Sequence, residues 1–217
     1  MRVRSAAVLV VAVALTAGCT GVLLGDEDLV FESGETLVEN GTLADAGYEL
    51  LHEEQQTFNE TVQVSDDGNG TRVVVTNHMA QYGPQGDLPA GIGAIQVGVI
   101  TMPDASVAGQ SVNPLMRTDS YERAFRFLPE TDSQGFERYG NYTVEPFDDP
   151  VEVTVFATET DGGETPEAFV HVMQVSRPSG DGVLAYAMHP SGEERAEAIP
   201  RLFSGLEYTP PEGVEEA

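Results

Sequence analysis

The sequence predicts an α+β fold, in which an antiparallel sheet of about six or seven strands is flanked by two or three helices. Three observations lead to this prediction. Strand-like runs occur in pairs joined by turn-forming residues, which is typical of antiparallel hairpins. Helix-start patterns interrupt these runs instead of alternating with them, which argues against a parallel doubly wound sheet. Apolar residues make up 41% of the 217-residue chain, which argues for a folded domain and against a disordered acidic chain.

The N-terminus has the pattern of an exported lipoprotein. Two arginines precede the apolar run 6–15, and small residues separate that run from Cys19, the only cysteine. This order indicates a cleavable secretory signal, and the run is shorter than the ~20 residues that a membrane span needs. Residues 15–19 resemble the lipobox, in which lipid is attached to the cysteine. We therefore expect a signal peptide over 1–18 and anchoring to the outer face of the cell membrane through Cys19.

The rest of the chain divides into three parts. Residues 19–41 mix glycine, acids and scattered apolar residues without a sustained period, so we expect a tether that begins at the lipidated cysteine. We expect a single α+β domain over 42–208, which starts with a short helical turn that ends at Gly47. The tail 209–217 is rich in proline and acids, and we expect it to be disordered.

A long hairpin and a central strand come first in the domain. The runs 49–64 and 72–82 flank the turn signal Asp66–Gly70, which predicts an antiparallel hairpin. The run 94–102 is nearly continuously apolar, which predicts a strand at the centre of the sheet.

Two capping-box patterns predict the helices of the second half. Asp119 with Glu122 and Ser191 with Glu194 have the required spacing, and Phe203 falls on the apolar face of the second helix. By analogy, strands closed by a last helix resemble the PsbP/Mog1-like fold. The predicted elements are a helix over 119–128, strands over 136–145, 151–158 (with one face in water), 168–175 and 183–188, and a helix from Ser191.

The charge predicts a salt-rich habitat. All ten basic residues are arginines, against 36 acidic residues, and the formal net charge is −26. Removal of residues 1–18 leaves eight arginines and a charge of −28. Such a charge opposes compaction in dilute buffer, but in about 1 M salt the Debye length is only about 3 Å. The charge also argues against nucleic acid as a partner, because binding needs cations that neutralise phosphates.

Four sequons are compatible with N-glycosylation of an exported chain, although the pattern is short and common. The asparagines are Asn40, Asn59, Asn69 and Asn141.

The sequence contains no assembled catalytic motif, and we predict no catalytic residue, metal or cofactor. His52 begins a zinc-peptidase-like pattern in which Gln56 replaces the second histidine. The first hypothesis is therefore a non-enzymatic domain that binds an unknown protein or small molecule at the cell surface. Its candidate contacts lie on the loops 83–93 and 105–116, which combine glycine and proline with apolar residues expected to be exposed, since such loops often carry binding residues. The alternative is that both loops only pack over the sheet. The contact residues are Leu88, Ile92 and Leu115.

The alternative hypothesis is a hydrolase-type enzyme with an unconventional site. His78, His189 and Ser111 are its candidate residues, since catalytic sets are recognised by geometry and not by order in the chain. His171, within a strand, is interpreted as a structural histidine.

Several short blocks, in order, resemble a family of haloarchaeal secreted lipoproteins of unknown function. The blocks are 46–49, 75–82, 101–103, Gly109 and Asn113-Pro114. The resemblance implies a lineage and a compartment outside the cytoplasm, and it implies no activity. A single valine separates Arg2 from Arg4, so export by the general or the twin-arginine route stays open.

Overall fold

The computed structural model describes residues 28–63, 70–86, 95–107, 109–117, 119–128, 135–158, 165–211 and 213. The predicted signal peptide lies outside the described residues, as does most of the predicted tail. Among the predicted site residues, Cys19, Asn69, Leu88 and Ile92 also lie outside them.

A mixed sheet of eight strands organises the domain. Its strand order is β1-β4-β5-β11-β10-β9-β8. β1 and β5 pair with successive parts of β4, and β3 pairs with β4 along its opposite edge. The strands are β1 (Leu29–Glu32), β3 (Tyr48–Gln63), β4 (Gly70–Pro84), β5 (Gln96–Met102), β8 (Phe136–Val144), β9 (Val151–Thr158), β10 (Ala168–Ser176) and β11 (Gly182–Pro190).

Small elements complete the fold. A second, two-stranded sheet joins β2 to β12, and a third joins β6 to β7. These elements are β2 (Glu35–Val38), α1 (Asn40–Ala46), β6 (Ser106–Val107), β7 (Gln110–Ser111), α2 (Ser120–Phe125), α3 (Ile199–Ser204) and β12 (Leu206–Thr209). Among the described helices, none is both long and apolar enough to cross a membrane.

The structure confirms the predicted hairpins. β3 pairs with β4 from Tyr48 opposite Pro84 to Gln63 opposite Gly70, with one irregularity near Leu51. β10 pairs with β11 over their whole length, and β5 lies between β4 and β11 at the centre of the sheet. Gly47 ends α1 in the left-handed conformation with φ 69°, as its sequence position predicts.

The predicted fold class is wrong. β1 runs parallel to β4, so the sheet is mixed and not antiparallel, and it has eight strands. The three described α-helices have only seven, six and six residues, so they do not flank the sheet as layers. The protein is therefore mostly β, and the PsbP/Mog1-like analogy is withdrawn.

The C-terminal helix shows why the sequence overestimated helix content. Residues Glu194–Ala198 form a 3₁₀ helix, and the α-helix starts only at Ile199, next to Pro200. Proline fits the first helical turn and disfavours a longer helix that contains it. Glu193, and not Ser191, supplies the cap, since its carboxylate accepts a hydrogen bond from the Arg195 N–H.

Both faces of the sheet are covered. On one face, Val97, Val99 and Ala185 pack with residues of α1 and α3, including Phe203 at 0% exposure. On the other, Ile100 and Leu184 pack against the segment that contains α2. The predicted wet face of β9 is therefore wrong, because Thr154 is buried.

The two ends of the domain meet at one buried carboxylate. β1 and β2 fall within the range expected to be a tether, and β2 pairs with β12, with Val38 opposite Leu206. The Gly34 N–H and the Tyr208 hydroxyl both donate to Asp181 Oδ2 at 2.7 Å. Asp181 therefore fixes the N-terminal strands and the C-terminal strand on the end of β11.

Candidate functional site

The predicted loop contacts are only partly described. Leu115 was expected to be exposed, but it is 6% exposed and packs against the core beside α2, so it offers no contact surface. Its loop covers the sheet because Asn113 is buried and donates to Asn77 Oδ1 at 2.7 Å. Asn40, Asn59 and Asn141 are exposed, as the sequon prediction requires.

The three residues of the hydrolase hypothesis do not meet. His78 lies level with Val183 across β5, and His189 lies six residues further along β11. At ~3.3 Å per residue, roughly 20 Å separates the two histidines along the sheet. His78 contacts Glu53, and among the described residues no hydrogen bond joins His78 to Ser111. Ser111 Oγ is buried without a described hydrogen-bond partner.

His189 instead forms a hydrogen-bonded chain with His171 and Tyr142. Its Nδ1 donates to the Pro190 carbonyl at 2.8 Å, so Nε2 of the neutral ring accepts. His171 Nε2 donates to it at 3.0 Å, and His171 Nδ1 accepts from the Tyr142 hydroxyl at 3.0 Å. One set of tautomers therefore satisfies the whole chain.

Burial keeps this chain neutral. Burial, with a smaller contribution from the neighbouring His189, lowers the pKa of His171 to about 4. Burial also lowers the pKa of His189 and raises that of Tyr142. Because the neutral set has a partner at every ring nitrogen, the chain is interpreted as a structural element, as expected for His171 from the sequence.

An open groove beside Arg177 is the candidate binding site. It encloses about 700 Å³, within the range of about 300–1,000 Å³ that is typical of ligand sites. Arg177 follows β10, and its guanidinium carbon lies 4.1 Å from the ring centre of Phe147 and 5.2 Å from that of Tyr208. Two aromatic rings from different segments of the chain therefore contact the guanidinium of Arg177.

The turn that carries Phe147 has an unusual backbone. Phe147 and Asp148 have φ of 56° and 63°, in the left-handed region that side-chain-bearing residues rarely adopt. Such conformations persist where the surroundings determine them, and they often lie at binding sites. Here the conformation places the ring of Phe147 against Arg177.

The groove is predominantly acidic. Four exposed carboxylates line it together with the single guanidinium of Arg177. Complementary charge favours a ligand that carries a positive charge. The four acidic residues are Glu39, Glu145, Asp148 and Glu207.

No pattern in the sequence predicts this groove. Its residues follow β2, β8 and β10 or belong to β12 and the end of α3, and they therefore share no spacing. The only local signal was the Pro146–Pro150 turn, which marks a loop without showing what it contacts.

A family comparison covers the whole groove except Tyr208 and Thr209. Residues 35–207 match the family model described as "Domain of unknown function (DUF6517)", and Tyr208 lies directly at its end. The chain belongs to this family. No curated protein matches the chain. The matched range of the DUF6517 domain includes Phe147, Arg177 and all four groove carboxylates, so the groove is built almost wholly from the family domain.

Proposed function

We propose that the chain is a lipid-anchored, non-enzymatic binding domain at the outer face of the cell membrane of a salt-adapted organism. The observation that carries the binding role is the groove at Arg177, with its aromatic rings and four carboxylates. The anchor rests on the lipobox-like pattern before Cys19, and the habitat rests on the charge of −26. Both agree with the resemblance to haloarchaeal lipoproteins.

The ligand class follows from the lining of the groove. Excess negative charge favours a small cationic ligand, such as one with an ammonium or guanidinium group. The guanidinium of Arg177 lies over the ring of Phe147, so this ring face contacts Arg177 and leaves recognition of the ligand to the carboxylates. Phe147 and Tyr208 orient Arg177, and the carboxylates select the charge of the ligand.

The binding role is tested by calorimetry with choline and arginine amide on the full chain in detergent. We expect Glu145→Gln and Glu207→Gln each to weaken binding, by about 2- to 10-fold for one rim charge. Glu137→Gln removes the same charge at the opposite, exposed end of β8 and should leave affinity unchanged. Absence of binding of either probe, or equal weakening in the control, contradicts the proposed ligand class.

The anchor is tested separately by Cys19→Ser. Two buried acyl chains hold a protein firmly, at ~0.8 kcal/mol per methylene, so the variant should leave the membrane fraction. Retention of Cys19→Ser in membranes through salt and carbonate washes contradicts the lipoprotein assignment.

A further inference from the structure

Two glutamates and one histidine converge at a site about which the proposed function says nothing. Glu35 begins β2, while Glu53 and His78 lie on the paired strands β3 and β4. Glu53 is opposite Ala80, and residues two apart share a face, so Glu53 and His78 project to the same side of the hairpin. β2 approaches that side, because Thr36 Oγ1 accepts from Thr101 Oγ1 at 2.8 Å.

The histidine is held in place before any ligand binds. Its side chain is only 8% exposed, and its backbone N–H donates to Ser33 Oγ at 3.1 Å. Its Nε2 faces Glu53 Oε1 at 3.2 Å and Glu35 Oε1 at 3.6 Å. Its other ring nitrogen, Nδ1, is buried without a partner among the described residues. The imidazole therefore presents Nε2 to the carboxylates from a fixed position.

The distances match those around a small metal ion. Zinc bonds to histidine nitrogen and carboxylate oxygen are about 2.0–2.2 Å, so neighbouring ligand atoms in a tetrahedral site are roughly 3.4 Å apart. The two distances from His78 Nε2 bracket this value, and all three ligand atoms lie within 4.8 Å of one another. The glutamate side chains are 40% and 42% exposed, so they are free to close the remaining gap.

Charge at the site also favours a cation. The pKa of Tyr82 is raised to about 12, mainly by burial and to a smaller extent by the two carboxylates. The neighbouring carboxylates therefore create a local negative field, which a divalent ion neutralises. One imidazole with two carboxylates suits Zn²⁺ and similar first-row ions better than Mg²⁺ or Ca²⁺, which prefer oxygen alone.

We propose that Glu35, Glu53 and His78 bind one divalent transition-metal ion of the Zn²⁺ class, with a fourth position open to water. Three protein ligands and one open position are the pattern of exchangeable and reactive zinc sites, whereas structural sites have four protein ligands. A ligating histidine usually donates its second N–H to an acceptor, and lack of that partner lowers affinity by about 10–100-fold. The site is therefore an exchangeable one of moderate affinity.

The test titrates the metal-free full chain with Co²⁺, followed by its visible absorption, and with Zn²⁺ by calorimetry. The chain carries Cys19→Ser so that no thiol competes, and about 1 M NaCl with excess Mg²⁺ suppresses diffuse attraction to the acidic surface. We expect one equivalent to bind. Glu35→Gln and Glu53→Gln should each weaken binding at least about 10-fold, because each replaces one of two anionic ligands with a neutral amide.

Glu54→Gln is the matched control. Glu54 follows Glu53 on β3, and its carboxylate contacts the exposed His52 at 3.3 Å. The Glu54→Gln substitution therefore removes the same charge from a pair of one histidine and one glutamate. It should leave the titration unchanged. Unchanged melting temperatures without metal show that Glu35→Gln and Glu53→Gln fold. Absence of stoichiometric binding, unchanged affinity in both ligand variants, or equal loss in Glu54→Gln each overturns the proposal.

Discussion

His171 and His189 meet through their Nε2 atoms, 3.0 Å apart, on neighbouring strands β10 and β11. Their single set of neutral tautomers links the Tyr142 hydroxyl to the Pro190 carbonyl. A proton added to His189 Nε2 would face the Nε2–H of His171, and a proton added to His171 Nδ1 would face the Tyr142 O–H that donates to it. The chain therefore stabilises the domain only while both rings are neutral.

This relationship predicts a stability that falls in mild acid. The folded pKa of His171 is about 4 against an ordinary value of 6.5, so protons bind the unfolded chain first. The contribution of neutral His171 to the free energy of unfolding is complete above about pH 6.5. It decreases as the pH falls towards 4, by about 3 kcal/mol at most. Chemical unfolding of the parent and of His171→Gln from pH 7 to 4 measures it. Parallel curves for the two proteins would contradict the prediction.

Gly98 is required because the ring of Tyr186 lies directly over it on the neighbouring strand. A Cβ at Gly98 would overlap the Tyr186 ring, which is 2% exposed and stacked on Phe127. Gly98→Ala should therefore destabilise the domain by about 1–3 kcal/mol, as overpacking does. Gly140→Ala is the control, because a Cβ there meets nothing within 4 Å. Similar melting temperatures for the two variants would show that the core yields at Gly98.

Phe203 closes one face of the sheet from α3 and is 0% exposed, beside Ile199, which is also 0% exposed. Phe203→Ala should cost about 3–5 kcal/mol, the usual penalty for truncating a buried aromatic residue. Glu197→Ala, at an exposed position of the preceding 3₁₀ helix, should change stability by less than about 0.5 kcal/mol. Urea unfolding compares them, and equal midpoints would contradict this account of the core.

Salt should stabilise the folded chain. As salt falls from about 1 M to 0.1 M, the Debye length grows from about 3 to about 10 Å, and repulsion among the 36 acidic residues is unmasked. The melting temperature, followed by circular dichroism, should therefore decrease with dilution. A melting temperature that is independent of salt would mean that the charge serves solubility alone.

The sequence predicted the elements that local chemistry determines. The β3–β4 and β10–β11 hairpins follow from turn residues between β-branched runs, and the burial of Phe203 follows from helical spacing. The register of the second hairpin would also have placed His171 diagonal to His189, because His189 is opposite Phe169.

Non-local pairing accounts for what the sequence did not predict. β1, β2 and β12 have four residues each, too few for a measurable period, and they pair with distant segments. The parallel β1–β4 pair, which makes the sheet mixed, has no local signal. The Arg177 groove and the Glu35–Glu53–His78 cluster each combine segments far apart in the chain, so neither has a characteristic spacing.

The central claim is that the groove at Arg177 binds a small cation, and mapping of amide chemical shifts on the ¹⁵N-labelled chain tests it most directly. On addition of arginine amide or choline, we expect saturable shifts at Glu145, Phe147, Asp148, Arg177 and 205–208, which line or adjoin the groove. Glu137, at the other end of β8, should not respond. Shifts confined to residues outside the groove, or no saturable shift with either probe, would contradict the claim.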